Sequence, residues 1–309
     1  MAPNSATTFE IGNTAELPLV SRLYATCADC WSLTKPEVNF LILITTVAGF
    51  YLGRPSGLHP FPLQRLIHTL LGTLMVASGA GTLNQYAERR FDSRMRRTAR
   101  RPLAAGRLHP VAALWFGVLL SIVGVAYLAV AVNALASLLA VLTLTSYLFL
   151  YTPLKRKTPL CTLVGAFPGA MPPLIGWAAA SGSIGSEAWI LYAALFLWQF
   201  PHFMSIVWMY REDYARAGYL VLPNSGGESF MAWFTLAPSL ALLMVNLTAV
   251  AADSESTVRY FASLILGLVL FYYGARLVFL RSRIAARQLL RASIVYLPLE
   301  FLILALGKH

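Results

Sequence analysis

The stretch HPVAALWFGVLLSIVGVAYLAVA, residues 109–131, decides the structural class of this protein. From Pro110 to Ala131 it contains no charged side chain. An α-helix needs about 20 consecutive apolar residues to cross the hydrocarbon core of a bilayer, and this run has that length. The sequence therefore predicts a membrane-spanning helix here.

Apolar runs of this kind recur along the whole chain. The hydrophobic pattern predicts nine spanning helices, over residues 38–53, 66–87, 109–131, 133–152, 160–181, 188–209, 230–251, 258–279 and 288–307. The composition agrees, because 58% of the 309 residues are hydrophobic and 12% are charged, whereas a soluble domain has about 25% charged residues. The predicted fold class is all-α, a polytopic membrane bundle. Residues 38–309 would form one nine-helix domain after an N-terminal segment, 1–37.

The basic residues are distributed unequally between the two predicted sides of the membrane. If residues 1–37 face the cytoplasm, every Lys and Arg lies on the cytoplasmic side except Arg54, Arg65, Arg259 and Lys308. The positive-inside rule favours this topology. The formal charge of +11 is then an orientation signal and predicts no nucleic-acid partner. Residues 1–37 lack the apolar segment of a secretory signal, so we expect a multi-pass protein of a bacterial inner membrane.

Three oxygen-bearing side chains lie at the cytoplasmic end of the second predicted helix. Asn84, Glu88 and Asp92 are spaced i, i+4 and i+8, which places them along one helix face over roughly 12 Å. Oxygen ligands of this kind suit Mg2+. A second interpretation is that the two carboxylates pair with nearby arginines on a solvated helix end. The spacing alone does not choose between them.

An arginine-rich loop follows this acidic face. Its six arginines are Arg94, Arg96, Arg97, Arg100, Arg101 and Arg107. Guanidinium groups bind phosphate oxygens, so carboxylates beside arginines predict a metal–diphosphate site. Any single one of these arginines is also explained by the positive-inside rule. A second acidic pair, Glu212-Asp213, ends the sixth predicted helix on the same side and could hold a second metal ion.

One histidine lies inside a predicted span. His202 follows Pro201, and the sequence leaves three roles open for it: contact with a substrate, proton transfer, or a hydrogen bond to a carbonyl freed by the proline. The sequence also predicts that prolines distort the fifth helix near PGAMPP, residues 168–173. Broken helices are tolerated where they line a cavity.

These residues resemble the UbiA-type intramembrane prenyltransferases. Asn84-x-x-x-Glu88-x-x-x-Asp92 is similar to the first aspartate-rich motif of that family, although Glu88 stands where the family usually has Asp. The strings TPLCTLVGAFPGAMPPLIGW (158–177) and WQFPHFMSIVWMYREDYARAGYLVLP (198–223) are similar to the branch of the family that prenylates heme. The resemblance runs from about residue 30 to the end of the chain and implies a UbiA-like fold.

The resemblance implies a reaction and a set of site residues. A farnesyl group would pass from farnesyl diphosphate to a vinyl group of heme B, with addition of water, to give heme O for heme A biosynthesis. The cofactor would be Mg2+, and the product could be handed to a heme A synthase. The implied catalytic residues are Asn84, Glu88, Asp92, Glu212 and Asp213, and four of them, Asn84, Glu88, Asp92 and Asp213, would be metal ligands. The implied diphosphate contacts are Lys35, Arg97, Arg101, Tyr151 and Lys155. The implied heme contact is His202. Most of the family has two aspartates four residues apart in the second motif, and Glu212-Asp213 departs from this pattern.

Two other functions compete with heme farnesylation. A prenyltransferase with another acceptor, such as a quinone precursor, would share the acidic and basic motifs. A secondary transporter for an anionic solute would also have broken helices and buried charges. The transporter would not need an acidic trio beside arginines at one mouth. Metal-dependent product formation separates the enzymes from the transporter, and the acceptor separates the two enzymes.

Overall fold

The computed structural model describes residues 19–55, 60–223, 225–251 and 257–307. Within these ranges the regular structure is entirely helical. The helices are α1 (Leu19–Leu33), α2 (Pro36–Gly53), α3 (Leu63–Asp92), α4 (Pro110–Ala131), α5 (Ala134–Thr145), a π-helical segment (Ser146–Tyr151), α6 (Thr152–Leu154), α7 (Cys161–Gly169), α8 (Met171–Ser181), α9 (Ser186–Met209), α10 (Arg211–Ala217), α11 (Gly227–Ala251), α12 (Thr257–Leu280) and α13 (Arg283–Ala305).

The nine predicted spans are confirmed in the described part of the chain. Nine helical segments there are long and apolar enough to cross a membrane. The fourth span is continuous from α5 through the π-helical segment to α6, and the fifth consists of α7 and α8. The division between residues 1–37 and 38–309 stays a prediction. Residues 1–18 lie outside the described ranges, and Leu33 of α1 is already fully buried.

The helix α3 is longer than predicted and carries the acidic trio into the site. It has 30 residues, about 45 Å of helix, which exceeds the roughly 30 Å of a hydrocarbon core. The predicted span ended at residue 87 because the polar residues after it cannot face lipid. The helix continues to Asp92 because its polar side chains are buried against other segments of the protein.

Two spans are irregular beside the site. The fifth span breaks at Ala170, where Pro172 in the first turn of α8 has no N–H to donate. The predicted distortion by prolines is therefore confirmed. The π-helical turn in the fourth span has no signal in the hydrophobic pattern and was not predicted.

Close backbone packing holds α2 against α8. A Cβ atom added to Gly49 would lie 2.0 Å from the carbonyl oxygen of Pro173, and one added to Gly176 would lie 2.0 Å from that of Thr46. Small residues allow such approach between membrane helices. The contact places the two helices side by side as one wall of a central cavity.

Candidate active site

The acidic trio lies at one end of the bundle, in a cluster that we call the charged rim. The rim comprises Lys35, residues 84–107, residues 151–157 and residues 210–219. Asn84, Glu88 and Asp92 are buried, with exposed fractions of 1%, 6% and 3%. The prediction that they share one helix face is confirmed by their common burial.

Each member of the trio is bonded to a cation from a different part of the chain. The three contacts are Lys35 Nζ to Asn84 Oδ1 at 2.7 Å, Lys155 Nζ to Glu88 Oε1 at 2.8 Å, and Arg101 Nη1 to Asp92 Oδ2 at 2.8 Å. The interpretation as a solvated helix end is wrong, because the carboxylates are buried and their partners come from other segments. The structure thus brings Lys35, Arg101 and Lys155 to the trio, whereas their predicted contact with a diphosphate stays a prediction.

The cluster has more positive than negative charge. Three cationic side chains face two carboxylates, and an unbalanced buried charge is costly. Burial, followed by repulsion from Arg101, lowers the pKa of Lys35 to about 7. Burial is the largest single influence on Lys155 and disfavours its charge, but Glu88, Tyr151 and Tyr147 together outweigh burial and raise the pKa of Lys155 well above its ordinary value. The cluster is therefore arranged to accept an anion, such as a diphosphate.

The backbone at Lys35 is held in an uncommon conformation. Its φ of 55° and ψ of 61° lie in the left-handed region, and Pro36 follows as the first residue of α2. A residue with a side chain is rarely found there, and such strain persists only where the surrounding structure enforces it. The Gln85 side chain, which donates to the carbonyl of Leu33, fixes the chain just before this turn. The result is that the Lys35 ammonium reaches Asn84.

The π-helical segment arranges two tyrosines beside the rim. The rings of Tyr147 and Tyr151 lie 5.4 Å apart, and the Lys155 ammonium lies 4.5 Å from the centre of the Tyr151 ring. The Asn84 amide donates to the hydroxyl of Thr152 at 3.2 Å, which ties the acidic helix to this segment. Such π turns occur often at functional sites. Tyr147 was missed from the sequence, since only its i, i+4 spacing to Tyr151 marked it.

A cavity of about 390 Å³ extends from the rim into the bundle. Lys35, Tyr147 and Tyr151 line the end of the cavity at the rim. Trp198 and His202, both on α9, line another part of it. Most other lining side chains are apolar and come from α2, α3, α5 and α7 to α9. This volume is in the range of small-molecule sites, roughly 300–1,000 Å³. An apolar cavity with a cationic mouth suits a ligand with a charged head and a hydrocarbon tail.

Within the rim, Arg97 links the loop after α3 to α10, which carries the second acidic pair. The Arg97 guanidinium donates to the Tyr214 hydroxyl at 3.5 Å. Asp213 is buried and accepts from Arg216 at 3.1 Å, whereas Glu212 is exposed. In the described ranges, no three His, Cys, Asp or Glu side chains come close enough together to hold a metal ion. A metal-binding role for Asp213 therefore stays a prediction.

The carboxylates of the trio still have free ligand atoms. Glu88 pairs with Lys155 through Oε1 and Asp92 pairs with Arg101 through Oδ2, and among the described residues no hydrogen bond to Glu88 Oε2 or Asp92 Oδ1 is present. Two carboxylates and an amide oxygen form a donor set that suits Mg2+, which commonly adds water and phosphate oxygens to one or two carboxylates. The residues present thus fit this metal ion.

Tyr219 is a further rim residue that the sequence did not indicate. Gly218, at φ +78°, ends α10, and the backbone N–H of Leu220, two residues later, donates to the carbonyl of Lys155 at 2.8 Å. The Tyr219 hydroxyl is buried and has no hydrogen-bond partner among the described residues. Burial, followed by the charge of Glu88, raises its pKa, so the hydroxyl keeps its proton. It lines a second cavity, of about 190 Å³, together with Glu88 and Arg156.

The chain is similar to known proteins over most of its length. The profile of the UbiA prenyltransferase family matches residues 42–297. The chain is 45% identical to the protoheme IX farnesyltransferase of Solibacter usitatus, over 91% of this chain and 98% of that one. It is 40% identical to the protoheme IX farnesyltransferase of Koribacter versatilis, over 91% and 93% of the two chains.

Solved structures share the fold at low sequence identity. A structure reported for digeranylgeranylglyceryl phosphate synthase superimposes with a TM-score of 0.72 at 14% identity, covering 93% of this chain and 99% of that one. A UbiA homolog from Archaeoglobus fulgidus, bound to DMAPP and Mg2+, superimposes with a TM-score of 0.62 at 15% identity, covering 89% and 99%. These likenesses establish the fold, and the family profile and the relatives establish the family. The chain belongs to the UbiA prenyltransferase family.

Proposed function

We propose that this protein transfers the farnesyl group of farnesyl diphosphate to a vinyl group of heme B, with addition of water, to form heme O. One observation carries the proposal: the charged rim, in which Lys35, Arg101 and Lys155 contact the acidic trio, opens into an apolar cavity lined by His202. The similarity to protoheme IX farnesyltransferases over most of both chains supports heme as the acceptor.

The rim is the proposed binding site of the diphosphate. Lys35, Arg101 and Lys155 would exchange their present oxygen partners for phosphate oxygens, and Arg97 would close the site from the side of α10. Asn84, Glu88 and Asp92 would hold Mg2+, with Asp213 a candidate ligand for a second ion. The metal would supply charge neutralisation on the leaving diphosphate. Glu212 is exposed, so we assign it a supporting role at the mouth.

The cavity is the proposed binding site of the farnesyl chain. The bond between C1 of the farnesyl group and the diphosphate oxygen breaks, and its electron pair leaves with the diphosphate. Tyr147 and Tyr151 line the rim end of the cavity, where the allylic cation would form, and aromatic rings stabilise cations. The apolar lining keeps water from this cation.

The acceptor completes the reaction. The terminal vinyl carbon of heme B forms the new C–C bond to the farnesyl cation, which moves the positive charge to the carbon beside the porphyrin. Water adds to that carbon and loses a proton, so that a hydroxyethylfarnesyl group results. The proposed heme contact of the protein is His202, because it lines the same cavity as Tyr147 and Tyr151.

The rim also supports the proposed membrane orientation. With the N-terminus in the cytoplasm, the rim faces the cytoplasm of a bacterial cell and the inner membrane holds the nine spans. Water-soluble diphosphate could then leave on the side where it is reused. The apolar product, heme O, would stay in or near the bilayer, where a heme A synthase could receive it.

An incubation of the purified protein in detergent tests this function. The protein is mixed with heme B, farnesyl diphosphate and Mg2+, and the hemes are extracted for mass spectrometry. We expect a heme that has gained a farnesyl group and one water, and we expect its loss on chelation. A parallel incubation contains a phenolic acceptor in place of heme B. If the phenol became prenylated while the heme stayed unmodified, the proposed diphosphate site would be retained and heme would be refuted as the acceptor.

A further inference from the structure

His202 is held by a hydrogen-bonded arrangement that joins α9 to α13. Its Nδ1 atom lies 2.9 Å from the hydroxyl of Ser293. The Ser293 hydroxyl donates to the carbonyl of Leu290 at 2.8 Å, and the Ser293 carbonyl accepts from the indole nitrogen of Trp198 at 2.8 Å. Ser293 is completely buried. The serine therefore contacts α9 through both its side chain and its backbone.

These contacts favour one tautomer of the His202 ring. The carbonyl of Leu290 can only accept a hydrogen bond, and the Ser293 hydroxyl satisfies it by donating its single proton there. In that arrangement the hydroxyl oxygen accepts from His202, whose proton is on Nδ1. In the neutral ring, Nε2 is left with a lone pair. No described protein group forms a hydrogen bond with Nε2.

The plane of the ring is fixed as well. The Trp198 indole stacks on the His202 ring with a centroid distance of 4.5 Å and an interplanar angle of 23°. Trp198 is itself anchored to Ser293 by its indole nitrogen. Ser293 thus restrains the imidazole directly through its hydroxyl and indirectly through the tryptophan.

The cavity offers few other ligands for a heme iron. Axial ligands of heme in proteins are His, Cys, Met or Tyr side chains. Among the described residues that line the cavity there is one His and no Cys or Met. The lining tyrosines, Tyr147 and Tyr151, lie at the rim end, beside Lys35 and Lys155. His202 is the lining group that combines a suitable donor atom with a fixed orientation.

We propose that Ser293 is a positioning residue, which holds His202 so that its Nε2 lone pair binds the iron of the heme substrate. The inference rests on the proposed function, because it takes heme as the acceptor. Metal-binding histidines generally donate their second ring N–H to an oxygen, and this contact sets the tautomer and raises the basicity of the ligand. Ser293 has that role here, and the ligated iron fixes the porphyrin and its vinyl groups relative to the farnesyl cation.

Heme binding without turnover tests this inference. Purified full-length protein is titrated with ferric heme B, in the absence of farnesyl diphosphate and Mg2+, and the Soret band and the electron paramagnetic resonance spectrum are recorded. Wild type should show a histidine-ligated spectrum. His202→Ala should lose it, and added imidazole should restore it. Ser293→Ala should weaken heme binding about tenfold or more with a shifted Soret band, as expected for loss of such a partner, whereas Ser293→Thr should keep the wild-type spectrum.

Turnover measurements separate positioning from a general loss of structure. Ser293→Ala should raise the KM for heme B while the KM for farnesyl diphosphate stays unchanged, and the variant should remain monodisperse because it only removes an oxygen atom. A wild-type Soret band and heme affinity in Ser293→Ala or in His202→Ala would overturn the inference. If wild type formed heme O with a spectrum independent of both residues, the inference alone would fail. If wild type neither bound nor modified heme, the proposed function would fail.

Discussion

The ammonium of Lys155 lies 2.8 Å from the carboxylate of Glu88, and this contact joins the loop after the fourth span to the C-terminal end of the second. Both side chains are largely buried, with exposed fractions of 14% and 7%. Breaking such a pair from one side leaves an uncompensated buried charge, which costs about 3–5 kcal/mol. The same two residues are proposed to separate when a diphosphate and a metal ion bind.

Lys155→Met should therefore lower both stability and activity. We expect a lower unfolding temperature in detergent, because Glu88 loses its partner, and loss of most farnesyl transfer. Adding Glu88→Gln to Lys155→Met should restore much of the stability, since an apolar and neutral pair is tolerated, but not the activity. Thermal unfolding and product formation measured on the same samples check this. Recovery of activity in the double variant would contradict a role of either residue in the chemistry.

Asp92→Asn should remove most activity while the protein still inserts and binds heme. The amide keeps the size of the side chain but loses the charge that pairs with Arg101 and would hold Mg2+. We expect at least about a hundredfold loss, in line with removal of one group that stabilises developing charge. Asp29→Asn is the matched control, because Asp29 pairs with Arg107 at the exposed edge of the loop. Wild-type turnover of Asp92→Asn would refute the metal assignment.

Chelation should separate the two ends of the site. Removing Mg2+ should reduce farnesyl transfer to background, whereas the heme spectrum should be unchanged, because His202 belongs to the cavity and not to the oxygen ligands of the rim. Absorbance titrations with heme B, with and without chelator, measure the second effect. Equal loss of both signals on chelation would contradict this division.

Tyr219→Phe should lower the rate of transfer without lowering stability. The Tyr219 hydroxyl is buried without a partner among the described residues and shares a cavity with Glu88. An unsatisfied buried hydroxyl is costly, so its removal should be neutral or slightly stabilising. About a tenfold lower kcat is expected if the hydroxyl donates to the diphosphate. Tyr272→Phe, at an exposed position on α12, is the control. Equal kcat values for the two variants would show that the Tyr219 hydroxyl has no part in the transfer.

Gly165→Ala should weaken binding of farnesyl diphosphate. A Cβ atom at Gly165 would lie 2.6 Å from the Tyr151 ring, so the ring would have to move away from α7 and leave its present position beside Lys155. We expect a raised KM for farnesyl diphosphate. Gly227→Ala is the control, because its added atom would find its nearest neighbour 3.9 Å away. Unchanged kinetics of Gly165→Ala would show that the position of Tyr151 does not matter.

The spans and the acidic face could be predicted because both depend on local patterns. Apolar runs identify a spanning helix without reference to the rest of the chain. The spacing of Asn84, Glu88 and Asp92 places them on one face of any regular helix. The helix continues to Asp92 because Asn84, Glu88 and Asp92 are bonded to Lys35, Lys155 and Arg101, and the sequence does not display these partners.

The partners across the site could not be predicted from local patterns. Lys155 and Glu88 are 67 residues apart, and only the packing of α3 against the fourth span brings them together. The π-helical turn changes which side chains of the fourth span face the cavity. The sequence therefore marked Tyr147 as a site residue only by its i, i+4 spacing to Tyr151. Ser293 has an ordinary surrounding sequence and matters because α13 packs on α9 beside His202.

The most direct test of the central claim is a competition between acceptors. Purified protein is given isotopically labelled farnesyl diphosphate, Mg2+, and equal concentrations of heme B and 4-hydroxybenzoate, and the products are separated by mass spectrometry. We predict that the label appears in a heme carrying one farnesyl group and one water, and that Asp92→Asn reduces the rate of labelling at least about a hundredfold. Label in the prenylated aromatic acid with unmodified heme would contradict the account.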